Sequence, residues 1–207
     1  MTIIRPIPGI IILIVFLLSQ SATAQGTSGT LDAKNGFRDA KFGMPLSAFK
    51  GIVPTGSISV SNGVKTVEYK RPSDVLRIGD IKLVSISYTF YNDKLYYISI
   101  GAAEEDRAQL QYTFTQAYGK PRQFLRADNP DLYDYTTSLS KYYGKPVAKP
   151  KGYVWDGSKV KLTMLFDNFL DKKACSFIMR SKLIGREISQ REAEEERRLS
   201  KKRAADI

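Results

Sequence analysis

The stretch Ile81-Lys82-Leu83-Val84-Ser85-Ile86-Ser87-Tyr88-Thr89-Phe90-Tyr91, continuing through Asn92-Asp93-Lys94 into Leu95-Tyr96-Tyr97-Ile98-Ser99-Ile100, decides the fold class. Val84, Ile86, Tyr88 and Phe90 alternate with Ser85, Ser87 and Thr89, the period-two pattern of a half-buried strand. A second such run after Asn92-Asp93-Lys94 makes a hairpin from about Ile81 to Ala102. A three-residue loop sets Phe90, Tyr88 and Ile86 opposite Tyr96, Ile98 and Ile100. A two-residue loop sets Ile86 against Ser99 and Ile98 against Ser87, so apolar matching favours the longer loop.

Upstream, Asn62-Gly63 sits between two β-prone runs over Ser57 to Lys70 and suits a type I′ hairpin turn. That loop sets Ile58 opposite Val67 and Val60 opposite Lys65, with Ile58, Val60, Val67 and Tyr69 on one face. Nearer the N-terminus, Phe37 to Phe42 reads as a short strand, and Met44 to Lys50 as a short helix ended by Gly51.

Downstream, Glu104-Glu105-Asp106 puts negative charge at a helix start, and Leu110, Phe114, Ala117 and Tyr118 form its apolar face up to Gly119 and Pro121. A second helix is predicted from Asn129, ending at Gly144 and Pro146. The endings Tyr118-Gly119-Lys120-Pro121 and Tyr143-Gly144-Lys145-Pro146 match, as helix-stop chemistry used twice or as an internal duplication. Strands are predicted over Tyr153–Trp155, over Val160, Leu162, Met164 and Phe166, and through Cys175, Phe177 and Met179. A turn at Asp156-Gly157-Ser158 and a loop from Asp167 to Lys173 join them. The predicted fold is α+β: a mainly antiparallel sheet built from hairpins, one or two helices packed on one face, and a charged C-terminal helix.

The chain ends divide readily. Residues 1–24 read as a cleavable secretory signal peptide. Arg5 supplies its positive region, Ile10 to Leu18 its apolar run, and Ser21-Ala22-Thr23-Ala24 its cleavage site. The apolar run is too short to span a bilayer, and no later segment approaches the ~20 residues required, so no transmembrane segment is expected after cleavage. Residues 25–35 are Gly/Ser/Thr-rich and read as a flexible leader, 36–181 as one domain, and 182–207 as a charged helical tail. The expected location is periplasmic or secreted.

Composition excludes several chemistries. The chain has no histidine and one cysteine, Cys175, which removes Ser-His-Asp and Cys-His systems, His-ligated metals and a disulfide framework. Cys175 falls on the inward side of its strand and reads as a buried thiol. Glu104-Glu105-Asp106 is explained by helix-start electrostatics. Asp128, Asp131 and Asp134 lack the glycine turn and bidentate glutamate of a calcium loop. Asp167 and Asp171 flank a strand connection. No nucleophile elbow, phosphate loop or dinucleotide fingerprint is present, so no catalytic residue, cofactor or metal is assigned.

Two binding leads remain. With a net charge of +11, the chain favours anionic neighbours. Lys145, Lys149, Lys151, Lys159 and Lys161, interleaved with Tyr153 and Trp155, suit an anionic envelope surface. Export directs such a basic protein away from nucleic acid. Leu183, Ile184 and Ile188 on the tail suit docking against another envelope protein; oligomeric state is open. The function expected is that of an exported, non-enzymatic binding or accessory protein of the bacterial envelope. The alternative is a carboxylate-dependent hydrolase of envelope glycan or peptidoglycan.

Gly36-Phe37-Arg38 through Phe42-Gly43-Met44, then Leu46 and Phe49, resembles the opening of small exported bacterial α+β domains of unknown function. The Tyr-Gly-Lys-Pro helix end and Tyr153-Val154-Trp155-Asp156-Gly157 are similar to the same group. The Gly43-Met44 turn also resembles SmpA/OmlA-like and β-lactamase-inhibitor-like envelope domains, which implies a non-enzymatic binding module. The chain departs from the former by lacking a lipidated cysteine.

Overall fold

A computed structural model describes residues 28–125, 151–169 and 172–205. The predicted signal peptide, the helix predicted from Asn129 and the second Tyr-Gly-Lys-Pro ending lie outside the described residues. The fold is α+β. In chain order the elements are α1 (Ser28–Lys34), β1 (Gly36–Phe37), β2 (Ala40–Lys41), a 3-10 turn (Leu46–Ala48), β3 (Val53–Ser61), β4 (Val64–Lys70), β5 (Arg77–Ile78), β6 (Ile81–Tyr91) and β7 (Lys94–Ala103). There follow α2 (Arg107–Tyr118), β8 (Arg122–Leu125), β9 (Lys151–Asp156), β10 (Val160–Phe169), β11 (Lys172–Ser181) and α3 (Lys182–Ala205). The main sheet has the order β3-β4-β6-β7-β11-β10-β9-β8, with β5 beside β6, and every pairing is antiparallel.

The β6–β7 hairpin shows how the sequence settles a conflict. Its loop is two residues, Asn92 and Asp93, with Tyr91 opposite Lys94, one residue shorter than apolar matching predicts. Both take positive φ, 47° and 62°, as a type I′ turn requires. Yet Tyr88 still faces Ile98 and Ile86 still faces Ile100, because a register shift between Thr89 and Phe90 absorbs the extra residue at Tyr96. A second shift between Leu83 and Ser85 turns Val84 out to 70% exposure and puts Leu83 inside in its place. The β3–β4 register is the predicted one, Ile58 on Val67 and Val60 on Lys65. Its burial is not: among the described residues β3 has no neighbour beyond it, and Ile58 and Val60 are exposed.

One face of the sheet carries the main core. Ile86, Tyr88, Ile98, Ile100, Leu162, Met164, Phe177 and Met179 point into it. They meet Leu110, Phe114 and Tyr118 of α2, Leu31 of α1, and Phe37, Phe42 and Phe49 of the N-terminal segment. The leader predicted as flexible is therefore ordered from Ser28, because Leu31 is fully buried and anchors α1. The helix predicted at Met44–Lys50 shrinks to the 3-10 turn, and the strand predicted over Phe37–Phe42 divides into the β1–β2 pair. β10 and β11 pair from Phe169 on Lys172 onward, so they consume most of the predicted Asp167–Lys173 loop.

The opposite, outer face has two smaller apolar clusters. Ile184 and Ile188 of α3 pack on Val64, Tyr91 and Tyr96 near the hairpin tips. Val154, Leu165 and Ile178 gather with Tyr97 toward the other end of the sheet. No described helix is long and apolar enough to cross a membrane.

Candidate functional site

Between those clusters the outer face of β3, β4, β6 and β7 is surfaced by short hydroxyl side chains. Strand parity puts them there: with Ile86, Tyr88 and Phe90 turned inward, Ser85, Ser87 and Thr89 must turn out. Cross-strand pairing extends the row, with Glu68 opposite Thr89, Thr89 opposite Tyr97, and Ser87 opposite Ser99. Ser59 sits opposite Thr66 on β3 and β4.

Because serine and threonine are short, the face is sunken. One hollow of about 550 Å³ is lined by Ser57, Ser59, Thr66, Glu68, Thr89, Tyr96 and Tyr97, with Ile58 as its apolar member. A second of about 490 Å³ is lined by Thr55, Ser85, Ser87, Ser99, Lys70 and again Glu68, and Leu76 and Val84 contribute apolar lining. Glu68 lines both, so the hollows adjoin across it, and the pair is called the trough. Burial, reinforced by the Glu192 charge, pushes the pKa of the Tyr96 phenol above its ordinary value and keeps it neutral; Thr66 is its hydrogen-bond partner. The trough thus offers neutral groups that both donate and accept hydrogen bonds, with a carboxylate at its middle.

The second hollow is walled by a charged cluster at the β4–β5 connection. Arg71 donates Nη1 and Nη2 to the two Asp39 oxygens at 2.7 and 2.8 Å, and Nε to Asp74 Oδ1 at 2.8 Å. Tyr88 donates its hydroxyl to Asp74 Oδ2 at 2.7 Å. The guanidinium also lies over the Phe49 and Tyr88 rings. Hydrogen bonding to Arg71 holds the Asp39 carboxyl below its ordinary range. Burial, then Asp74, pushes the Tyr88 phenol up, and the Asp39 bond pushes Arg71 up. Every charge in the cluster is paired, so its work is to tie the β1–β2 turn to the loop before β5.

Among the described residues, the predicted lysine–aromatic face divides between two sides of the sheet. Lys145 and Lys149 lie outside the described residues, as does the side chain of Lys151. Trp155 is buried in the main core and donates Nε1 to the Gly119 carbonyl at 2.7 Å; Tyr153 packs against the same core. Lys161 faces Asp156 on the outer side, and Lys159 is exposed in the β9–β10 turn. Strand alternation therefore separates the described cations from the aromatics. The tail residues are corrected too: Ile184 and Ile188 dock on the protein's own sheet, which leaves Leu183 alone exposed, at 67%.

Among the described residues no three His, Cys, Asp or Glu side chains gather as metal ligands; Asp128, Asp131 and Asp134 lie outside them. The trough residues went unassigned in the sequence because an outward Ser/Thr row reads as ordinary solvent face. The available signal was that the outward positions are hydroxyls rather than long charged chains. No family model, curated protein or solved structure matches this chain.

Proposed function

We propose that this protein is an exported, non-enzymatic binding module of the bacterial envelope, and that the outer-face trough takes a polyhydroxylated ligand, an envelope glycan. The observation that carries this reading is the adjoining pair of hollows lined by hydroxyls from four adjacent strands, with Glu68 shared. Sugar hydroxyls need partners that both donate and accept, which serine, threonine and tyrosine provide. A carboxylate adds a stronger acceptor, and Tyr97 aromatic surface for the apolar C–H groups of a sugar. Binding rather than hydrolysis is favoured because glycosidases set two carboxylates across the bond. Asp74, the other carboxylate on this wall, is held by Arg71 and Tyr88. The signal-like residues 1–24 support the location, and the positive charge supports an anionic polymer carrying those sugars.

Co-sedimentation of the mature chain with purified peptidoglycan sacculi, and separately with lipopolysaccharide micelles, tests the reading. The expected result is retention on one of them, weakened about tenfold or more by Glu68→Gln and by Ser87→Arg, which fills the trough. Lys159→Glu with Lys161→Glu is expected to change retention far less. Failure to sediment with either polymer, or equal retention of the trough variants, overturns it.

A further inference from the structure

Among the described residues β3 is an edge of the main sheet and is guarded only over its first half. Edge strands ordinarily carry a charge, a proline or a bulge, because their unpaired N–H and C=O groups template pairing with another chain. Pro54 and the register irregularity between Pro54 and Ile58 supply such guards. Ser57-Ile58-Ser59-Val60-Ser61 has none, in a chain of net charge +11. All of β3 is exposed, including Ile58 at 56% and Val60 at 68%.

The hairpin shows which backbone groups are free. Ser61 and Val64 close a two-residue loop, so they form a hydrogen-bonded pair, and the pattern alternates from there. Ser59 turns its backbone toward Thr66, whereas Ile58 and Val60 turn theirs outward. The five residues also read alike in both directions about Ser59: serine, β-branched, serine, β-branched, serine. An antiparallel strand of the same sequence, related by a two-fold axis at Ser59, puts Ile58 opposite Val60 of the second copy. Those are the residues whose N–H and C=O groups point outward, so backbone and side chains match in one register.

We infer that Ser57–Ser61 is the interface of a homodimer in which two copies of β3 pair antiparallel about Ser59. The occupant is a second copy because the match lies within the strand itself. A segment without charge offers a charged partner nothing to recognise, and a one-residue slip sets Ile58 and Val60 against serines. The contact is isologous, as two-fold dimers require. Its five residues per copy fall well short of the ~1,000 Å² of a standard interface, so association is weak. Mutual repulsion of two basic copies opposes it, so added salt tightens it. The two-fold axis stands perpendicular to the sheet, which leaves both outer faces on one side with their troughs adjoining. The dimer itself does not depend on what the trough binds.

Sedimentation of the mature chain from about 1 to about 300 µM, at low and high salt, covers the affinities such a contact reaches. The expected mass rises toward twice the monomer with concentration, and does so earlier in high salt. Val60→Lys, which is outside the trough, is expected to stay monomeric throughout while keeping its ligand binding per chain. A second readout uses Ser59→Cys. Across a wide antiparallel pair the Cα atoms lie about 4.5 Å apart, within disulfide reach. Oxidation is expected to link this variant as a dimer and to leave Ser189→Cys, on the exposed side of α3, largely unlinked. Monomer at every concentration, an unaltered dimer in Val60→Lys, or equal cross-linking at both cysteines overturns the inference.

Discussion

The Asp32 carboxylate accepts the backbone N–H groups of Ser158, Lys159 and Val160 at 2.7 to 2.9 Å and the Ser158 hydroxyl at 2.7 Å. The β9–β10 turn is thus an anion cradle filled by the chain's own N-terminal helix. Gly157 makes room for it, since a Cβ there would overlap the Asp32 carboxylate. Partial burial opposes the charged form, but the Ser158, Lys159 and Val160 bonds outweigh it, and the Asp32 carboxyl is held below its usual range. A carboxylate lowered by folding stabilises above its unfolded value of about 3.9, and that stabilisation is lost as pH falls through the lower folded value. Asp32→Ala is expected to cost about 2 kcal/mol at neutral pH in urea unfolding. It is also expected to flatten the loss of stability below about pH 4 that the parent protein shows. Equal acid sensitivity in both proteins would contradict this role. Arg71→Lys provides a second residue-scale measurement. Lysine cannot hold Asp39 and Asp74 together as the planar guanidinium does, so a loss of about 2 to 3 kcal/mol is expected although charge is conserved.

At the scale of elements, α3 contrasts with its own composition. It is 24 residues long and mostly charged, with internal pairs such as Arg198–Glu195 at 2.6 Å. Its buried attachment is at the first turns, where Ile184 is buried against Val64 and Tyr91, and Lys94 pairs with Glu187 at 3.6 Å; farther along, the partly exposed Glu192 and Glu195 lie near Tyr96 and Gly63. Exposed pairs of that kind are worth well under about 1 kcal/mol each, so burial decides. Ile184→Ala is expected to lower stability by about 2 to 3 kcal/mol in chemical denaturation. Truncation after Ser189 is expected to shift the melting temperature by only a few degrees, roughly the effect of a fraction of a kcal/mol. A large loss on that truncation would show that the distal contacts of Glu192 and Glu195 carry much of the helix's attachment. α2 shows the opposite economy: Gly119 stops it at φ 82°, and the Gly119 carbonyl holds Trp155.

For the molecule as a whole, the core sets the alkaline limit. Burial raises the Cys175 thiol and the Tyr118 phenol to about 12 each, with the Glu104 and Asp106 charges adding to the effect on Cys175. Groups raised by folding keep their contribution below the unfolded values, about 8.5 and 10, and lose it as pH climbs through the folded ones. Stability is therefore expected to fall steadily between about pH 9 and 12 in denaturant titrations. At neutral pH, Cys175 is expected to react with a thiol reagent only at the rate of unfolding. Rapid labelling of the native chain would show that the thiol is open to solvent. The same core dictates what is left outside. With α1, α2 and the N-terminal aromatics all on one face, the middle of the other face is left to short polar side chains, and among the described residues the β3 edge is left free.

Strand period, turn chemistry and helix stops are local, and they were legible: both Asn-containing hairpins, α2 to its last turn, the inward Cys175–Met179 row and the docked start of α3. The β6–β7 loop length was not, because two-residue turn preference and apolar register disagree and only a bulge reconciles them. Nor was α1, whose polar composition hides the single buried Leu31 and the remote turn that Asp32 holds. The sequence by itself determined α+β class, the inward residues of each strand and the absence of histidine chemistry, since these depend on near neighbours or composition alone. The tertiary structure decided which strand became the edge, that Trp155 and Tyr153 joined the core away from the described lysines, and that hydroxyls from four strands lie side by side. Those facts depend on strand order and register between distant segments, which no local pattern encodes.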